Sequence, residues 1–141
     1  MNINQIYWIA ALLEGEGSFS FETTPRIQLK MTDEDIVLRA RSLMKPNAKI
    51  RVGIMKNIKH KTNYTFYVLG DPAISWMFTI YSLMGRRRKE KIREIIIKWK
   101  EMTGKNIGNL MHYNAIRMIA KYKKISFDEA NKLFNESLQV N

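Results

Sequence analysis

The stretch WIAALLEGEGSF, Trp8 to Phe19, decides how this chain is read. It begins as an apolar helix and ends in two glutamates, Glu14 and Glu16, each followed by a glycine. A helix C-terminus carries partial negative charge, so each carboxylate there is unfavourable by roughly 0.3–1 kcal/mol, and cations are preferred. A chain with a formal net charge of +11 has cations to spare, yet places acids at this point. One reading is a solvated turn after an ordinary core helix. The other is a divalent cation held by a Glu16 oxygen and a free carbonyl of the helix end, with water and phosphate completing an oxygen shell. The glycines let backbone approach a neighbour or ligand closely. Ala11 and Gly15 lie four apart on one helix face, a spacing that lets two helices touch; the precedent is strongest in membranes. Pairing of this helix with its own copy about a two-fold axis would bring two Glu16 side chains together.

The bulk composition narrows the partners. The 141 residues suffice for one domain with a core. There is no cysteine, which excludes disulfides and thiolate metal sites. No apolar run approaches the roughly 20 residues of a membrane span, and the N-terminus lacks the basic start of a signal peptide. These features lead us to expect an intracellular protein, cytoplasmic or organellar, neither secreted nor membrane-bound. Lysine and arginine number 24 against 13 acidic residues. From Ile36 to Gly70 no acid occurs among eight basic residues: Arg39, Arg41, Lys45, Lys49, Arg51, Lys56, Lys59 and Lys61. Such clustering points to a polyanion, most simply nucleic acid.

Periodicity outlines the elements. Gln5 to Glu14 is the first helix, stopped by the glycines. Ser18 to Glu22 alternates, Thr23-Thr24-Pro25 turns, and Arg26 to Met31 alternates again, predicting a hairpin with one apolar and one polar face. Thr32 and Asp35 resemble a capping box opening a second helix, which Pro46 closes. A second hairpin follows, Lys49 to Ile54 and Tyr64 to Leu69 around the basic loop KNIKHKT. Ile50 and Val52 are expected on its apolar side. Asp71-Pro72 caps a third helix, and Gly85 separates it from a charged fourth, Arg86 to Met102. The class is therefore α+β: one antiparallel four-stranded sheet, polar on one face and backed by helices on the other. Residues 1–103 form the core. Residues 104–141 read as a helical extension of the same domain, with helices near Leu110 to Lys123 and Phe127 to Leu138, the latter opened by a Ser126 to Glu129 box. Arg117, Lys121, Lys123 and Lys124 make this extension basic.

A second terminus has the wrong sign. Arg86-Arg87-Arg88-Lys89 stands at the start of the fourth helix, where the dipole disfavours cations. It reads either as a solvated basic cap or as a phosphate contact. His60 and His112 are isolated and belong to no metal or nucleophile set.

Residues Ile9 to Gly17, IAALLEGEG, resemble the nine-residue signature of the LAGLIDADG homing endonucleases, continued by Ser18-Phe19. The αββαββα order, the phrase MTDEDI and the phrase MGRRRKEKI are also similar to that family, over roughly Ile3 to Met102. The resemblance implies a homing-endonuclease-like core with a saddle-shaped sheet. It implies that Glu16, at position eight of the signature, is the metal-binding carboxylate, joined by the Gly15 carbonyl. Glu stands where the signature has Asp, at positions six and eight, which keeps the ligand chemistry and moves it by a methylene. Glu14 would cap or brace the paired helices, with Ala10, Ala11 and Gly15 at the interface. Asp33 would orient water, and Arg86, or else Arg88, would approach the cleaved phosphate. One signature per chain implies a homodimer. The implied activity is Mg²⁺-dependent double-strand cleavage of a long pseudo-palindromic DNA site, leaving short 3′ overhangs, with Mn²⁺ or Ca²⁺ able to substitute in binding. Rivals on the same fold are an intron RNA splicing cofactor and a noncatalytic DNA-binding regulator.

DNA would be read by the polar hairpin faces, since a two-stranded ribbon fits the major groove. Arg26, Lys30 and Arg51 can pair with guanine, and Gln28 with adenine. Ser18, Ser20 and Thr65 can reach bases or phosphates, with Glu22 and Tyr67 beside them. Lys49, Lys56, Lys59 and Lys61 suit phosphate neutralisation. With six to ten such contacts, DNA affinity is expected to fall by roughly 10³–10⁵ between about 50 and 200 mM salt. Fluorescence anisotropy across a salt series measures this; a flat profile would contradict the expectation.

Overall fold

Asn2 starts the first helix. Its side-chain oxygen accepts the Gln5 amide at 3.0 Å, and the Gln5 side chain accepts the Asn2 amide at 2.7 Å. This reciprocal cap satisfies two donors that no helical carbonyl reaches. Helix α1 consequently spans Ile3–Glu16, longer at both ends than its apolar pattern suggests. The computed structural model describes residues 1–54, 61–104, 116, 119–121 and 123–139.

Gly17 is the residue that stops α1. Its amide donates to the Leu13 carbonyl. A Cβ at position 17 would lie 2.7 Å from that carbonyl oxygen and 2.8 Å from a Leu13 methyl. Gly15 is different: it lies inside the last turn, and a Cβ there would meet nothing within 4 Å.

The chain then runs β1 Gly17–Phe21, β2 Pro25–Met31, α2 Glu34–Met44, β3 Arg51–Ile54, β4 Thr62–Leu69 and α3 Asp71–Ile80. A 3₁₀ turn, Tyr81–Leu83, leads to α4 Arg86–Thr103, and the last described helix, α5, spans Phe127–Gln139. The four strands form one antiparallel sheet in the order β1-β2-β4-β3, with β1 and β3 as edges. The class is α+β, as the alternation predicts. Phe19, Ile27, Leu29, Phe66 and Val68 point from the sheet into the core, all at most 4% exposed. They meet Ile9 and Leu13 of α1, Val37 and Ala40 of α2, Ile74 and Met77 of α3, and Ile92, Ile95 and Trp99 of α4. Full burial of each such large side chain contributes about 1.5–3 kcal/mol. The Trp76 indole nitrogen, inside this core, donates to the Met44 carbonyl at 3.1 Å and so satisfies the end of α2.

Three local expectations are corrected. Helix α2 is capped at Asp33, not at Thr32, and no side-chain capping bond forms. Glu34 and Asp35 in its first turn favour that end through the dipole instead. Helix α3 is capped one residue earlier than Asp71, at Gly70, whose φ of 69° suits glycine and whose amide donates to the Pro25 carbonyl at 2.9 Å. Val52 and Ile54 are 64% and 66% exposed rather than packed. Their strand is the sheet edge, and no described residue covers them.

The Ser126–Glu129 box forms as expected: the Glu129 amide donates to the Ser126 hydroxyl at 3.2 Å, and the Ser126 amide donates to the Glu129 carboxylate at 3.0 Å. Ile116 and Ala130 build a small cluster with Ile119, Ala120 and Ile125 against Phe78, a residue that also packs on the main core. Most of the helix expected over Leu110 to Lys123 lies outside the described residues. Among those described, no helix is long and apolar enough to cross a membrane.

Gly17→Ala should destabilise the fold by about 1–3 kcal/mol, because the added methyl overlaps the backbone of α1. Urea denaturation followed by circular dichroism measures the loss; an unchanged midpoint would show that the α1–β1 junction relaxes freely.

Candidate metal and nucleic-acid site

The two wrong-signed helix ends meet each other. One carboxylate oxygen of Glu14 accepts the amide of Gly85, the N-cap of α4, at 3.0 Å. In return Arg88, in the first turn of α4, donates through Nε and Nη2 to the Glu14 carbonyl at 3.3 and 3.0 Å. An acid at a C-terminus thus caps the positive end of α4. A cation at an N-terminus satisfies an orphan carbonyl at the negative end of α1. A Cβ at Gly85 would lie 2.9 Å from a Glu14 oxygen, so a larger residue there would shift the end of that side chain. The Arg88 guanidinium also stands over the Phe19 ring, 5.7 Å from its centroid.

This junction reassigns two of the expected residues. Glu14 braces two helices of its own chain. Arg88 is half-buried and bonded to backbone, where the sequence suggested a phosphate contact. Arg86 stays on the surface, its side chain 93% exposed and paired with Glu90 at 3.1 Å. Glu16, by contrast, is exposed at the end of α1 and has no hydrogen-bond or ion-pair partner among the described residues. The Gly15 carbonyl beside it lies in the last turn, beyond the reach of helical donors. Asp33 is also exposed. Because Gly17 pairs with Leu29, β2 leaves towards Asp33 at the same end of the sheet where α1 arrives.

Ala10 is corrected outright. It follows Ile6 and Ile9 on the inward face of α1, is 3% exposed, and belongs to the core of the single chain. Ala11 and Gly15 are exposed, as is Tyr7, and these mark the outward stripe.

The polar sheet face gathers most of the expected contact residues. Register places Ser18, Gln28 and Tyr67 in one row across β1, β2 and β4. Lys30, Thr65 and Arg51 form the next row. Ser20 and Arg26 form a third. Arg26 and Arg51 both stand over the Tyr67 ring, 5.5 and 5.0 Å from its centroid. Arg26 is further held by the Ser20 hydroxyl at 3.1 Å and by an ion pair with Glu22. Arg51 has no hydrogen bond or ion pair among the described residues. Lys30, Lys49 and Lys61 are exposed. Thr65 is the second correction: at 6% exposure, between the longer Lys30 and Arg51, it supports the face and does not present a hydroxyl to it. Asn63 is likewise buried, against Gly53, a position the alternation did not single out. Lys56, Lys59, His60, His112 and Arg117 lie outside the described residues.

Not every cation serves this face. Arg39 stands 4.2 Å from the Trp8 ring centroid and Lys98 4.8 Å from that of Phe21, each packed on an aromatic beside the helical layer. At half-buried Tyr64, partial burial and then the Glu34 carboxylate push the phenol above its ordinary value, so it stays protonated at neutral pH. Among the described residues no three His, Cys, Asp or Glu side chains gather where they could hold a metal ion. Comparison of the chain with protein-family models, curated proteins and solved structures gives no significant match.

Arg88→Ala should cost about 1–3 kcal/mol, since it strips a charged donor from a carbonyl at a packed helix end. Arg86→Ala should stay within about 0.5 kcal/mol, as expected for an exposed surface substitution. Paired urea titrations check the contrast, and equal losses would refute the assignment of Arg88 to the junction.

Proposed function

We propose that this protein is a homodimeric, Mg²⁺-dependent DNA endonuclease of the LAGLIDADG type, with the saddle-sheet core of that family. It would cut both strands of a long, pseudo-palindromic site and leave short 3′ overhangs. One observation carries the proposal: of the two glutamates ending α1, Glu14 is consumed by a structural bond and Glu16 has no partner among the described residues, at the tip of a small-residue stripe.

Gly15 adds support. Glycine in a helix costs about 0.5–1 kcal/mol relative to alanine, and no neighbour among the described residues exploits the missing Cβ. Something outside the chain would use that space, and a second α1 brought against Ala11 and Gly15 does so. The donors fit a hard cation: one carboxylate and one carbonyl per chain, both oxygen. Two donors form only half of a site, which agrees with a centre completed by a second copy and by DNA. When bound, Mg²⁺ supplies a Lewis acid and lowers the pKa of attacking water.

The chain's own groups take distinct roles. Glu16 and the Gly15 carbonyl bind; Asp33 orients water; exposed Arg86 exchanges Glu90 for the cleaved phosphate. The Tyr67 platform with Arg26, Arg51, Gln28 and Lys30 lies in the major groove.

The decisive experiment incubates the protein with the intronless version of its host locus, with and without Mg²⁺. Wild type should cleave only with the metal. Glu16→Gln should lose cleavage by at least about 10³-fold and bind DNA within about twofold, because a neutral amide keeps the shape and removes the charge. Binding without cleavage by wild type would favour the noncatalytic regulator; tighter binding to intron RNA than to DNA would favour the splicing cofactor.

A further inference from the structure

We infer that Arg88 is a positioning residue for the metal-binding end of α1, acting through the Glu14 carbonyl. The inference rests on the metal-dependent reading above and goes beyond it by giving Arg88 a role other than contact with the cleaved phosphate.

Glu16 sits between two anchors. On one side Glu14 is fixed twice, by its carboxylate on the Gly85 amide and by its carbonyl under the Arg88 fork. On the other side Gly17 is fixed by its amide bond to Leu13 and by its pairing with Leu29 in the sheet. Between the anchors lies Gly15, the most permissive residue type, with no neighbour within 4 Å of an added Cβ among the described residues. Helix ends fray, and a glycine in the last turn makes this end prone to it. The bonds at Glu14 hold the turn closed one residue before Gly15, so the Gly15 carbonyl and the Glu16 carboxylate leave the helix in a fixed relation. Partners that orient metal ligands typically change metal affinity by about 10- to 100-fold when removed.

The sign of the effect separates positioning from simple electrostatics. Arg88 is a cation near a cation site. If charge alone mattered, its removal would tighten metal binding. If it positions the ligands, its removal weakens binding despite the lost repulsion.

The test titrates Mn²⁺ alone into the full chain and follows free Mn²⁺ by electron paramagnetic resonance. Glu16→Gln identifies binding at the α1 end. Arg88→Ala should raise the half-saturating Mn²⁺ concentration about 10-fold or more. Arg88→Lys keeps the charge and loses the fork, so it should fold and fall between wild type and Arg88→Ala. Arg87→Ala should leave the value unchanged. Circular dichroism confirms that each variant is folded; if Arg88→Ala is not, Arg88→Lys decides alone. Unchanged or tighter Mn²⁺ binding in a folded Arg88 variant, with Glu16→Gln still abolishing it, would overturn the positioning role and leave the functional proposal standing. Failure of wild type to bind Mn²⁺, or equal binding by Glu16→Gln, would overturn the positioning role, because the free chain would then hold no metal at the α1 end for Arg88 to position; the cleavage experiment above decides the functional proposal separately.

Discussion

The meeting of the C-terminus of α1 with the N-terminus of α4 is the contact on which the arrangement of the site depends. Each end alone carries charge of the unfavourable sign. Placed together, the Glu14 carboxylate caps α4 and the Arg88 guanidinium caps α1. Two local penalties become three charge-assisted hydrogen bonds, of a kind worth about 1.5–3 kcal/mol each. The contact joins residues more than 70 positions apart. It therefore closes the helical layer around the sheet as well as satisfying helix ends.

That closure explains why the two glutamates differ. They are two residues apart in a helix, so they point in directions roughly 200° apart. One faces the junction and the other leaves the protein. The same periodicity sends Ala10 into the core and leaves Ala11 and Gly15 outside. A single helical turn thus holds a structural acid and, among the described residues, an acid without a partner and a glycine without a neighbour at its missing Cβ; the functional proposal grows from the last two.

The sheet separates its faces just as sharply. Phe19, Ile27, Leu29, Phe66 and Val68 anchor the inner face, and this rigidity sets the spacing of the residues outside. Tyr67, flanked by Arg26 and Arg51, forms a platform that is cationic and aromatic together. Arg26 is pre-organised by Ser20 and Glu22, whereas Arg51 has only the Tyr67 ring as a partner among the described residues. Such a surface suits a polyanion that needs both positioning and reading.

The element order, both hairpins, the polarity of the sheet faces and the basic character were legible in the residues, because periodicities of 2 and 3.6 and the turn-forming Gly and Pro are local signals. The two anomalous termini were legible as anomalies for the same reason: a carboxylate at Glu14 and an arginine at Arg88 conflict with the dipole of their own helix. That they resolve each other was not legible, because the bonds span the chain and depend on how α1 and α4 pack around the sheet. Thr65 and Ala10 were also misplaced. Alternation assigns Thr65 its face, but its 6% exposure is set by packing with the flanking strands; Ala10 lies on the inward face of α1 with Ile6 and Ile9, where the interface expectation set that periodicity aside. Local physics determined the elements and flagged the two anomalous helix ends; only long-range packing decided which charge is structural and which stays exposed.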